Sequence, residues 1–171
     1  GRTQEILYHF NDMVEAGDIP QIPVVVDSPM GNTVTDIYTA HEECYDGPTR
    51  ARILSGDLPL EFPGMGVART VAQSRAIRGL RPPKVIVAGS GMCTGGRILA
   101  HLKRFLPHDS TTVALVGYQA ANTLGRELAE RARTVRIDDT TVAVKATIAS
   151  LSGFSAHADA DALVEWAGRI P

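Results

Sequence analysis

The stretch Val85-Ile86-Val87-Ala88-Gly89-Ser90-Gly91-Met92-Cys93-Thr94-Gly95-Gly96-Arg97 sets the fold. A short β-branched run ends in a glycine-rich turn, and the turn opens into a segment, about Arg97–Phe105, whose apolar residues recur at helical spacing. Strand, tight loop and helix together form the unit of a parallel α/β sheet. The unit recurs on both sides. Upstream, Ile22–Val26 is closed by Asp27-Ser28-Pro29-Met30-Gly31-Asn32, with a helix expected from about Thr33. Downstream, Thr112–Val116 is closed by Gly117-Tyr118-Gln119-Ala120-Ala121-Asn122, with a helix expected from Thr123 to about Arg131. A Pro/Gly-rich connector (56–66), a short strand at Val67–Ala68 and a short helix at Val71–Leu80 fill the space between the first two units. The expected class is α/β: a Rossmann-like, mostly parallel sheet flanked by helices.

The two ends read differently. Ile6, Leu7, Phe10, Met13 and Val14 mark an amphipathic helix that Gly17 stops. It starts at residue 1 with no preceding cap or strand, so the chain is expected to be cut from something longer. After residue 133, Val135–Ile137 and Val142–Ile148 read as two strands across the Asp138-Asp139 turn, with Val142, Val144, Ala146 and Ile148 on one face. A Gly- and Ser-rich segment, 150–159, leads into a last amphipathic helix, Ala160–Gly168, carrying Leu163, Val164 and Trp166.

A hydrophobic fraction of 44% with 21% charged residues is that of a globular protein. No apolar run approaches the roughly 18 residues that span a bilayer, and the first residues lack the layout of a secretion signal. A soluble, cytoplasmic protein without a membrane partner is expected. Cys44 and Cys93 are too few for a disulfide framework and are expected as small buried hydrophobes. The net charge of -2 conceals an asymmetry. Residues 62–108 contain no acid but do contain Arg69, Arg75, Arg78, Arg81, Lys84, Arg97, Lys103 and Arg104. Such a stretch suits a polyanion, and equally a solvated basic face.

The loop 89–96 follows a strand and opens a helix, a placement that aims backbone N–H groups at one point and favours an anion there. It lacks the Gly-Lys-Ser/Thr of a nucleotide-binding P-loop. A tight βα turn with no ligand fits the same residues. The loops at the carboxyl ends of parallel strands line one crevice. Expected phosphate contacts are therefore Ser90, Gly91, Met92, Gly95, Gly96 and Arg97, joined by Ser28, Gln119 and Thr123 from the neighbouring loops. His157, in the polar loop Ser152-Gly153-Phe154-Ser155-Ala156-His157-Ala158-Asp159, is the candidate general acid or base near neutral pH. It could instead cap a helix or satisfy a carbonyl, and Asp159 has the form of an N-cap. The remaining histidines, His9, His41, His101 and His108, are expected at surfaces or helix ends. No metal site is expected on this chain alone, because His157-x-Asp159 offers two ligands at most.

Five motifs stand in one order: Gly1-Arg2-Thr3-Gln4-Glu5, Val26-Asp27-Ser28-Pro29-Met30, Ser90-Gly91-Met92 with Gly95-Gly96-Arg97, Gly117-Tyr118-Gln119-Ala120 with Thr123-Leu124-Gly125-Arg126, and Ser152 to Asp159. In this order the chain resembles the β-CASP proteins, RNA-processing nucleases of the metallo-β-lactamase fold. The resemblance implies a β-CASP domain over residues 1–146 and, over 147–171, a segment returning to the metallo-β-lactamase domain. It implies that RNA threads between the two domains. Two zinc ions would sit in the parent enzyme, none bound by this segment alone, and His157 would protonate the leaving group. Ser90 and Gly91 would contact phosphate, and the Asp27–Met30 turn would line the channel. It leaves room for a homodimer, since dimers are common in the family. The family's His-x-His-x-Asp-His and Val-His-Gly-Glu motifs are absent here, and Ala121-Asn122 replaces the usual Glu-Gly. Two rival readings remain: a binding-only subunit of an RNA-processing complex, and an unrelated α/β domain for a nucleotide or sugar phosphate.

Overall fold

The computed structural model describes residues 1–154 and 158–170. Helix α1 (Arg2–Glu15) leads into strand β1 (Val24–Val26), whose alternate side chains Val24 and Val26 are buried. Helices α2 (Pro29–Ala40) and α3 (Gly47–Leu54) follow. Then come β2 (Met65–Val67), α4 (Val71–Ile77), β3 (Val85–Val87) and α5 (Ile98–Phe105). Strand β1 lies in the middle, with parallel partners on either side: Val24 is in register with Met65 of β2 and with Val85 of β3. Parallel pairing with helical crossovers is what the repeated strand–loop–helix units require.

The second half holds β4 (Thr112–Leu115), α6 (Leu124–Ala129), β5 (Thr134–Ile137), β6 (Thr140–Ala143), β7 (Thr147–Ser150) and α7 (Ala160–Gly168). Strands β5 and β6 form an antiparallel hairpin whose turn residue Asp138 takes a left-handed φ of 51°. Strand β7 pairs in parallel with β4, with Thr112 in register with Thr147. The parallel strands thus make two ladders, β2-β1-β3 and β4-β7.

Each ladder has its own core. Leu7, Val24, Val26, Leu60 and Phe62 form one. Leu102, Leu106, Leu115, Leu128, Val135, Ile137, Val142 and Ile148 are among the residues of the other. Fully burying a leucine such as Leu7, Leu106 or Leu128 contributes about 2 kcal/mol.

Several local expectations are corrected. Helix α2 begins at Pro29, not near Thr33: Ser28 caps it, and Pro29, with φ preset for a helix, takes the first position. The run Val142–Ile148 is two strands, because the Lys145 and Ala146 amides both donate to Leu106 O and the chain changes ladders there. Its four apolar residues still face one core. Cys93 is buried as expected, and burial pushes its thiol up to about 11, but Cys44 is exposed.

Candidate functional site

The loops after β1, β3 and β4 meet at the carboxyl ends of the strands. Ser28 Oγ accepts from Gly31 N at 3.1 Å, capping α2. A side chain at Gly89 would come within 3.3 Å of that hydroxyl, so the first two loops touch. Gln119, buried, reaches from the third loop and donates through Nε2 to Gly91 O (3.0 Å) and Gly117 O (2.9 Å). Gly125 N donates to Met92 O at 3.0 Å. Thr123 caps α6, accepting from Arg126 N, and donates to Ala120 O at 2.7 Å.

These contacts hold the carbonyl side of the Ser90–Gly96 loop. Its amide side is different. The N–H groups of Gly91, Met92, Gly95, Gly96 and Arg97 have no acceptor among the described residues. Gly91, Met92 and Gly96 are exposed at the mouth of α5, and Gly95 and Arg97 are half-buried. Gly96 takes a φ of +78°, and a Cβ there would lie 2.9 Å from Gly89 O, so only glycine lets the loop fold back this closely. Ser90 Oγ and Thr94 Oγ1 lie 3.1 Å apart at the same rim.

Beneath the loop sits an ionic brace that the sequence did not announce. The Asp27 carboxylate, fully buried, receives Ser74 Oγ at 2.6 Å, His101 Nε2 at 2.6 Å and an Arg97 guanidinium nitrogen at 2.6 Å. Burial pushes this carboxyl up, but the hydrogen bonds from Ser74, His101 and Arg97 outweigh it and leave the pKa below the ordinary value. Arg97, expected at a phosphate, instead directs its guanidinium inward to Asp27, Ala68 O and Arg69 O. His101, expected at the surface, is buried. An ionised carboxylate can only accept, so His101 Nε2 carries the shared hydrogen. His101 stands one turn after Ile98 and one before Phe105, on the inward stripe of α5; that spacing was the signal available in the sequence.

His157 lies outside the described residues. Phe154, a few residues before it, is held beside the third loop. Strand β7 runs parallel to β4, so the chain after Ser150 leaves at the carboxyl end, and Leu151 N donates to Leu115 O. Arg2 Nε donates to Phe154 O at 3.0 Å, while a Cβ at Gly117 would lie 3.0 Å from the same guanidinium. Three large apolar side chains stand exposed on these loops or just beyond: Met30 (78%), Met92 (37%) and Tyr118 (71%). Among the described residues no three His, Cys, Asp or Glu side chains gather as a metal site.

Parallel ladders, helical crossovers and a strand-end trough with open amides define a Rossmann-like α/β domain built around exposed loops. The chain belongs to the Beta-Casp domain family, which residues 3–128 match, and residues 141–171 match the Zn-dependent metallo-hydrolase RNA specificity domain. It is thus a β-CASP segment of the metallo-β-lactamase-fold nucleases. It is 36% identical to Ribonuclease TTHA0252 of Thermus thermophilus over 96% of this chain and 38% of that protein. It is 29% identical to the RNase J-like protein of Methanocaldococcus jannaschii, over 100% of this chain and 38% of the relative. Identity to Transcription termination factor FttA of Thermococcus kodakarensis is 30%, over 99% and 27% respectively. The chain therefore spans well under half the length of these relatives.

Proposed function

We propose that this chain is the RNA-holding part of a zinc-dependent ribonuclease that hydrolyses phosphodiester bonds. One observation carries the proposal: the amides of Gly91, Met92, Gly95, Gly96 and Arg97 have no acceptor among the described residues, while Gln119 and Gly125 hold the carbonyls of Gly91 and Met92. A rigid set of N–H donors at a strand end is suited to a phosphate, and does not distinguish one base from another. The exposed Tyr118, Met92 and Met30 would give bases apolar surface to rest on, with stacking on an aromatic ring worth about 1–3 kcal/mol.

In this proposal the zinc ions, which activate water and stabilise charge on oxygen, belong to the metallo-β-lactamase domain of the same polypeptide. The chain's own residues bind and orient the RNA backbone, and His157 donates the proton to the departing oxygen. Helix α7 supports the placement of that second domain. Its Leu163, Val164 and Trp166 are more than half exposed, an apolar face suited to another domain.

The test is made on the natural full-length protein. RNA should be cleaved, and a zinc chelator should stop turnover. His157→Ala should lower kcat by about 10²–10⁴-fold and leave RNA affinity, measured with chelator present, nearly unchanged. Absence of RNA binding together with a mononucleotide-induced rise in melting temperature would replace this reading with that of a nucleotide-binding domain.

A further inference from the structure

Eight cations fall in the acid-free stretch 62–108, and the structure sorts them into two groups. Three are neutralised: Arg69 by Asp36, Arg97 by Asp27 and Lys103 by Asp138. The other five, Arg75, Arg78, Arg81, Lys84 and Arg104, form no ion pair among the described residues. The four arginines are exposed.

Helices α4 and α5 meet at the Asp27 carboxylate, which Ser74 of one and His101 of the other both reach. Ser74 and Ile77 take the buried side of α4, leaving Arg75 and Arg78 outward. Lys84 sits just before β3, its ammonium 5.0 Å over the Phe105 ring and donating to Leu80 O. Arg104 directly precedes Phe105 in the chain, and burial, and then the charge of Arg104, pull the Lys84 ammonium below its usual pKa. Lys84 and the last turn of α5 mark the amino end of the sheet, whereas the open amides lie at the carboxyl end. The patch therefore starts at Arg75, next to the Ser74 of the brace, and extends away from the trough.

We infer that the outer α4–α5 face, through Arg75, Arg78, Arg81, Lys84 and Arg104, is a second RNA contact that tracks the sugar-phosphate backbone beyond the trough. It rests on the reading of the chain as RNA-holding and extends it. Like charges gathered without counter-charges repel one another, and a polyanion relieves that repulsion. Charge neutralisation by such a surface is independent of sequence and depends on salt.

The test compares single-stranded RNA of about 4 and about 16 nucleotides. Binding to the natural full-length protein is followed by fluorescence anisotropy across a salt series, with chelator present to prevent turnover. The variant carries Arg75→Gln, Arg78→Gln, Arg81→Gln and Arg104→Gln, leaving Lys84 on its aromatic ring. It should bind the long RNA about tenfold or more weakly, and the slope of log affinity against log salt should shrink by about 0.7 for each phosphate no longer neutralised. Short-RNA binding should stay within about twofold. Arg→Lys at the same four positions should restore the long-RNA affinity, which a misfolded variant would not do. Equal affinities and slopes for wild type and the Gln variant would overturn the patch and leave the trough untouched. Loss of long-RNA binding in the variant, when wild type ignores short RNA, would support the patch and count against the trough. No RNA binding at any length would remove both.

Discussion

A Cβ built on Gly125 falls 1.7 Å from Gln119 Oε1 and 3.0 Å from Met92 O. Gly125→Ala must therefore expel the Gln119 amide, and with it the bond that fixes the Gly91 carbonyl. Overpacking of this kind costs about 1–3 kcal/mol. The variant should melt lower and bind RNA more weakly than wild type. Adding Gln119→Ala should recover part of the melting temperature by relieving the clash, yet leave binding weak, because the loop has lost its tie. Thermal melts and anisotropy on the two variants check this, and wild-type behaviour of Gly125→Ala would show that Gln119 does not hold the loop. The sequence makes Gly125 legible as part of a motif but not as the floor beneath a glutamine 6 positions earlier: that contact depends on how the loop between β4 and α6 folds back on the first turn of α6.

Among elements, the Asp27 brace ties β1, α4 and α5 with one carboxylate. Removing one member of a buried ionic cluster leaves its partners uncompensated, so Asp27→Asn should cost about 3 kcal/mol at neutral pH. The folded carboxyl titrates below its ordinary value, so the brace contributes fully above the unfolded carboxyl's range. That contribution is lost as pH falls through the folded value. Wild-type melting temperature should thus fall steeply on going from about pH 5 to about pH 2, and the variant should start lower and change less over that window. Parallel slopes for the two proteins would place the acid sensitivity elsewhere. Much at this scale was readable in the chain. Val24–Val26, Val85–Val87 and Thr112–Leu115 are strands where β-branched runs predicted them, and the glycine-rich turn does open a helix. Periodicity could not show that the chain leaves the hairpin after Ala143 and joins β4 at Thr147, because the same alternation faces the same core on both sides of the break. Nor could it show where Arg97 points, since a cation in the first turn of a helix suits an outer anion and an inner carboxylate equally.

For the molecule as a whole, the extent of the chain matters. The described residues gather no metal site, and the chain covers 38% of the ribonuclease it resembles. Purified alone, the 171-residue chain should show no zinc-dependent RNA turnover, and chelator-sensitive cleavage by it would overturn the division of labour proposed above. The two cores bear on a different property. Leu7 and Phe62 pack in one, Leu115 and Leu128 in the other, while the trough lies where loops from the two halves are stitched by Gln119 to Gly91 and Gly125 to Met92. Those two stitches are hydrogen bonds, so undoing them removes no apolar side chain from either interior. Such a molecule can lose its grip while still fully folded, so damage at this seam would pass unnoticed by any assay that reads only compactness or helix content.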